Sequence, residues 1–239
     1  MTSPHSKPIF VGGLYQSGKT TLIRSLIHLG KKFHDNCAGF KAFDQGRLIK
    51  NATEEKTDGE FFCEMMIGEP METLVSPYIA HEDYPIEMAF RRDGIRIDWG
   101  FIKERLRILD ENYDKTFIEL PPGLYTPLND KKLTYEWMSD ISKEVIWIIQ
   151  PQKDRFEHNM GEIKLLLSQD FNIHIIMNHY PKTLDQSLML YIWETVEKFA
   201  NQQIEGMIPF TDLDKKGIPA MAEKIELNVP GLINRLFRE

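Results

Sequence analysis

The sequence predicts an α/β fold with a mainly parallel sheet flanked by helices. Short apolar runs alternate with amphipathic stretches along 239 residues. The runs are near-continuous rather than alternating, the pattern of strands buried on both faces. Helical connections between such runs make the sheet mainly parallel, and ligands of such sheets bind beyond the carboxyl ends of the strands.

Ile9-Phe10-Val11 reads as a strand ending in glycines. Thr20 to Lys32 reads as a helix, with Leu22, Ile23, Leu26, Ile27 and Leu29 on one broad face and Gly30 near its end. Cys37 to Phe43 reads as a second strand, and Thr57 to Ile67 as a helix followed by Pro70. Asp98 to Glu111 is helical by the phase of Trp99, Ile102, Leu106 and Leu109. Thr116 to Leu120 is a strand stopped by Pro121-Pro122-Gly123, and Glu144 to Gln150 a strand stopped by Pro151. Phe156 to Gln169 reads as a helix, Ile173 to Met177 as a strand, Leu184 to Asn201 as a helix and Ile204 to Ile208 as a last strand. No repeat or linker divides the chain, so residues 1–239 are expected to form one domain, with 1–7 as a disordered tail.

Composition narrows the function. There are 29 Lys+Arg against 36 Asp+Glu, a formal net charge of −7. That balance argues against a nucleic-acid protein held by phosphate contacts, which needs a basic face. The longest apolar runs, such as Val145-Ile146-Trp147-Ile148-Ile149, fall far short of the roughly 20 residues of a membrane span. The N-terminus lacks the apolar stretch of a signal peptide. Cys37 and Cys63 read as buried, reduced thiols. The expected compartment is the cytoplasm, with no membrane partner.

One motif carries sharp chemistry. Gly13-Leu14-Tyr15-Gln16-Ser17-Gly18-Lys19-Thr20 matches G-x-x-x-x-G-K-[ST] in full, between a strand and a helix. Glycines let backbone N–H groups curl around phosphate oxygens, and the helix that follows points its positive end at the same place. This predicts a P-loop NTPase that binds a nucleotide through Gly13, Gln16, Ser17, Gly18, Lys19, Thr20 and Thr21, with the Thr20 hydroxyl on Mg²⁺. A P-loop also needs a carboxylate near the metal. Glu119 sits at the end of an apolar strand, where burying a carboxylate is otherwise costly; an edge-exposed Glu is the alternative. Asp58 opens a helix, and so reads as an N-cap or as a second metal-directed acid. Lys41 lies among apolar residues on the second strand, either snorkelling or functional. Asn178-His179-Tyr180-Pro181 lacks the lysine and aspartate of a guanine-specifying N-K-x-D.

Together these segments resemble the dethiobiotin synthetase family of ATP-dependent ligases from about Pro8 to Phe210. Ala38-Gly39-Phe40-Lys41 is similar to the family's A-G-x-K-P, Thr57-Asp58 to its aspartate segment, and Val75-Ser76-Pro77-Tyr78 with Glu82-Asp83-Tyr84-Pro85 to its N-P-x and S-P-H stretch. Ile118 to Leu128 resembles E-G-A-G-G followed by a P-L pair. Met177-Asn178 resembles the asparagine beside adenine, and Gly206-Met207-Ile208-Pro209 the G-x-I-P segment. The resemblance implies ATP and Mg²⁺ as cofactors. It implies Lys19 on the phosphates, and Thr20, Asp58 and Glu119 around the metal. Lys41 would sit over the γ-phosphate and stabilise a carbamate, with Asn178 and the Pro209 loop on adenine. In that family 7,8-diaminopelargonate is carbamated by CO₂, the carbamate attacks the γ-phosphate, and ring closure expels phosphate. A homodimer with the diamine near the interface is implied.

The departures fall on the acceptor side. The P-loop lacks the family's T-D-T and is a residue shorter, Ala42 replaces a proline, and Leu120-Pro121-Pro122-Gly123 replaces the glycines, removing N–H donors. Asp154 and Glu157 stand where a helix N-terminus receives the diamine's carboxylate; they are expected to repel an anion and cap the helix themselves. A second expectation follows from these losses: a relative that works as an ATP-binding switch or assembly protein with a protein partner.

Overall fold

The structure, a computed structural model, describes residues 7–45, 49–50, 53–54, 56–179 and 185–238. In chain order the first elements are β1 (Ile9–Gly13), α1 (Lys19–Phe33), β2 (Cys37–Phe40), β3 (Phe43–Gln45), β4 (Ile49–Lys50) and β5 (Thr53–Glu54). Then come α2 (Asp58–Met65), α3 (Glu72–Val75), β6 (Tyr78–Ala80), α4 (Ile86–Arg92), α5 (Trp99–Asn112), β7 (Lys115–Glu119) and α6 (Thr134–Ser139). The chain continues through β8 (Glu144–Ile149), α7 (Lys153–Ser168), β9 (Asn172–Asn178), α8 (Gln186–Ala200), β10 (Ile204–Ile208), α9 (Leu213–Asn228) and α10 (Pro230–Phe237). The start of the expected tail, residues 1–6, and Leu184 of the helix expected over Leu184 to Asn201 lie outside the described residues.

Six strands form one parallel sheet in the order β10-β9-β8-β1-β7-β2. β1 is central: Phe10 stands beside Ile118 of β7 on one side and Val145 of β8 on the other. Its Phe10 and Val11 are fully buried and Ile9 partly so, as a strand covered on both faces requires. Helices flank the sheet, so the predicted fold class holds. Trp137 and Trp147 lie in the core, and Trp99 and Trp193 pack against it. Cys37 is buried but Cys63 only half-buried, which corrects the expectation for the second thiol.

The boundaries differ from expectation in ways that shape the site. The second strand stops at Phe40, not Phe43. Lys41 N instead donates to Val75 O at 2.9 Å, and Ser76 Oγ donates to Lys41 O at 3.0 Å. The chain thus leaves the sheet edge at Lys41, and β3 pairs with β6 as a separate parallel ribbon. α1 does not end through Gly30. That glycine lies inside the helix, where a Cβ would fall 2.5 Å from Cys37 Sγ, so its role is close helix–strand packing. The left-handed residue that terminates the helix is His34 (φ 64°), whose N–H turns back to Lys31 O. The N-cap of α2 is Thr57, in a capping box with Glu60. Asp58 is therefore the first helical residue, and the N-cap reading of it is corrected. α7 begins three residues before Phe156, which brings Arg155 into its first turn. α9 is two helices joined at Gly217 (φ 69°), and this break hides its periodicity.

Candidate functional site

The P-loop joins β1 to α1 at the carboxyl edge of the sheet. Gly18 takes φ 95° at the N-cap of α1, and a Cβ there would lie 2.5 Å from Asn178 Nδ2. Backbone carbonyls from Gly13 to Ser17 are each turned away to a named donor. Lys19 Nζ donates to Gly13 O (3.3 Å) and Leu14 O (3.0 Å). Arg155 Nη1 donates to Tyr15 O, Gln150 Nε2 to Gln16 O (2.7 Å), and Asn178 Nδ2 to Ser17 O (2.9 Å). Arg155 Nη1 also reaches Gln150 Oε1 at 2.7 Å, tying the two clamps together. With their carbonyls held this way, the loop's N–H groups and the start of α1 are left for an anion.

Lys19 is 7% exposed. Burial pulls its pKa down to about 8, against the opposing pull of Glu119. Lys41 has the opposite fate. Burial works against its charge, yet Glu119, Asp44 and Asp58 outweigh it and hold its pKa well above the ordinary lysine value. Its ammonium pairs with Asp58 Oδ2, with Asp44 Oδ1 at 3.1 Å and with Glu119 Oε1 at 3.3 Å. The snorkelling alternative is thereby corrected: Lys41 turns into an acidic cluster, not out to water.

Glu119 is 5% exposed, and burial pushes its pKa up while Lys41 and Lys19 pull it back. The edge-exposed alternative does not hold. Its second oxygen, Oε2, is buried and has no hydrogen-bond partner among the described residues. Thr20 Oγ1 donates to Asp58 Oδ2 at 3.3 Å. The hydroxyl of Thr20 and the carboxylates of Asp58 and Glu119 are hard oxygen donors, the set Mg²⁺ takes beside phosphate and water, and the orphaned Oε2 fits such an ion. Among the described residues no group of three His, Cys, Asp or Glu forms an all-protein metal cage.

These side chains line one pocket of about 820 Å³. Gln16, Ser17, Gly18, Lys19, Thr20, Thr21, Lys41, Asp58, Glu119 and Asn178 all face it. Gly13 and Pro209 do not: Gly13 packs against Ser17 and the Ile148 carbonyl, and the segment after Pro209 reaches the wall through Phe210 to Asp214. Next to Glu119, Leu120, Pro121 and Pro122 also line the pocket, a stretch without N–H groups at the prolines. Tyr15, Gln45 and Asp83 close the rim, with Tyr15 OH donating to Asp83 Oδ2 (3.3 Å) and Gln45 Nε2 to Oδ1 (2.7 Å).

Asp154 and Glu157 are exposed, neither lines the pocket, and no side chain caps α7. The expected capping is therefore corrected, and neither carboxylate faces the pocket. The residue between them, Arg155, carries the contact instead. Arg155, Gln150 and Asp44 escaped the sequence reading. Asp44 had one signal, a carboxylate between Phe43 and Gln45 three residues after a strand lysine.

No family model matches the chain. Among characterised proteins it is 26% identical over 186 residues to the ATP-dependent dethiobiotin synthetase of Clostridium kluyveri, covering 75% of this chain and 77% of that one. It is 25% identical over 212 residues to that of Clostridium acetobutylicum, covering 86% and 87%. The resemblance to dethiobiotin synthetases holds. The fold is similar to the MinD cell division protein of Aquifex aeolicus, with a TM-score of 0.56, 17% identity, and coverage of 93% of this chain and 89% of that one. The fold is consistent with that of P-loop NTPases, and the chain is distantly similar to dethiobiotin synthetases.

Proposed function

We propose that the chain binds Mg-ATP in this pocket and acts as an ATP-dependent ligase of the dethiobiotin synthetase type, on 7,8-diaminopelargonate. The observation that carries the reading is the convergence of Lys19, Thr20, Lys41, Asp58 and Glu119, from four separate segments, on one cavity beneath the P-loop. The distant dethiobiotin synthetase relatives support the same chemistry.

In this reading the P-loop N–H groups and Lys19 bind the phosphates. Thr20, Asp58 and Glu119 hold Mg²⁺, which supplies charge neutralisation at the phosphoryl oxygens. Lys41 carries a permanent positive charge where an anionic acceptor meets the phosphate, so it both orients that acceptor and stabilises developing charge. Asn178 fixes the loop from the adenine side. A homodimer with the acceptor near its interface belongs to the proposal.

The Pro121–Pro122 wall favours a second reading, an ATP-binding switch that acts on a protein partner, because it offers an acceptor few hydrogen-bond donors. One assay separates the two. Incubation with ATP, Mg²⁺, bicarbonate and 7,8-diaminopelargonate yields dethiobiotin and phosphate in equal amounts on the ligase reading. ATP binding without dethiobiotin would sink that reading and leave the switch.

A further inference from the structure

Three carboxylates surround one ammonium at the base of the pocket, and they are not equivalent. Asp58 and Glu119 line the cavity; Asp44 does not. Asp44 is 2% exposed and lies behind Lys41. Backbone groups fix it there: Gln45 N donates to its Oδ1 at 2.9 Å and Gly59 N to its Oδ2 at 3.4 Å. Lys41 is equally constrained at its backbone, by Val75 O and the Ser76 hydroxyl. The unpartnered Glu119 Oε2 and the Thr20–Asp58 pair offer oxygens to a hard cation in the pocket. Yet the same two carboxylates hold the Lys41 ammonium. A divalent ion and an ammonium repel at this range, and both draw on Asp58 and Glu119.

We propose that Asp44 is a positioning residue: it keeps Lys41 in the pocket as an ion pair while Asp58 and Glu119 turn to Mg²⁺. Without it, ion binding would leave the buried ammonium with no protein counter-charge of its own. With it, the lysine keeps one fixed counter-charge beyond the ion's reach. This rests on the proposal that a Mg-nucleotide enters the pocket, and it adds a role for a residue outside that pocket's lining.

The test is binding of a fluorescent ATP analogue across a Mg²⁺ titration, for the wild-type chain, Asp44→Asn, Lys41→Met and the double variant. Asp44→Asn keeps an oxygen for Gln45 N, and the double variant removes both charges together, so a loss of folding in one is checked by the other. The half-saturating Mg²⁺ concentration rises about tenfold in Asp44→Asn, falls in Lys41→Met, and is insensitive to Asp44→Asn once Lys41 is gone. Binding without Mg²⁺ is unchanged by Asp44→Asn. An unshifted Mg²⁺ dependence in Asp44→Asn, or the same shift in the Lys41→Met background, overturns the role of Asp44 and leaves nucleotide binding intact. Failure of the wild-type chain to bind the analogue at all overturns the nucleotide reading, and this inference with it.

Discussion

Two parts of the pocket lining are built by different means. The phosphate part is made of backbone: a contiguous eight-residue loop whose carbonyls are pinned by Lys19, Arg155, Gln150 and Asn178. A second part of the lining, where the proposed acceptor would bind, is made of side chains and proline rings, from Phe43, Gln45, Asp83, Ile86, Pro121 and Pro122. Phosphate geometry is fixed, so the backbone cradle that meets it follows a recognisable pattern. An acceptor is read by side chains, and these differ from the family's glycine-rich segment here. The difference teaches that the proposed nucleotide and acceptor contacts rest on different kinds of groups, which can be varied separately.

The largest expected effect bears on the phosphate part. Lys19 has a pKa of about 8 in the free protein. Its charge is present below that value and lost as pH rises through it, whereas Lys41 stays charged. A bound triphosphate restores the charge by drawing a proton onto Lys19. Nucleotide affinity is therefore flat below pH 8 and falls up to about tenfold per pH unit above it, measured by calorimetry across that range. Lys19→Met removes this pH dependence.

A smaller effect tests the clamps. Arg155→Met and Gln150→Ala each leave a P-loop carbonyl without its donor, a loss of about 1 kcal/mol. Each is expected to weaken nucleotide binding about fivefold, in the same titration. Unchanged affinity in both would mean that the loop holds its shape without them. The smallest effect is in the other part. Pro122→Gly should leave nucleotide affinity at the wild-type value, because none of the P-loop carbonyl clamps runs through Pro122; a clear loss would break the comparison.

Much of this was readable before the fold was known. The strand–loop–helix unit around Lys19 is local, and its motif and periodicity lie in consecutive residues. Glu119 and Lys41 stood out as charges in apolar strands, and burial makes such residues conspicuous. The clamp of Arg155 on Tyr15 was not readable, because it spans 140 positions and depends on where α7 starts. Asp44 was hidden because the apolar pattern of the sequence carries the second strand on to Phe43, whereas the strand ends at Phe40. The break at Lys41 is set by Val75 and Ser76, distant in sequence. Asp154 and Glu157 misled for the same reason: their positions along the chain matched a ligand site, but their side chains point to solvent.

The central claim is that this cavity holds Mg-ATP through the P-loop lysine. It is tested most directly by titrating Mg-ATP into the wild-type chain and into Lys19→Ala, with calorimetric detection. One nucleotide per chain, with affinity reduced on the order of a hundredfold in the variant, is the predicted result. No binding to the wild-type chain, or equal affinity in Lys19→Ala, would contradict it.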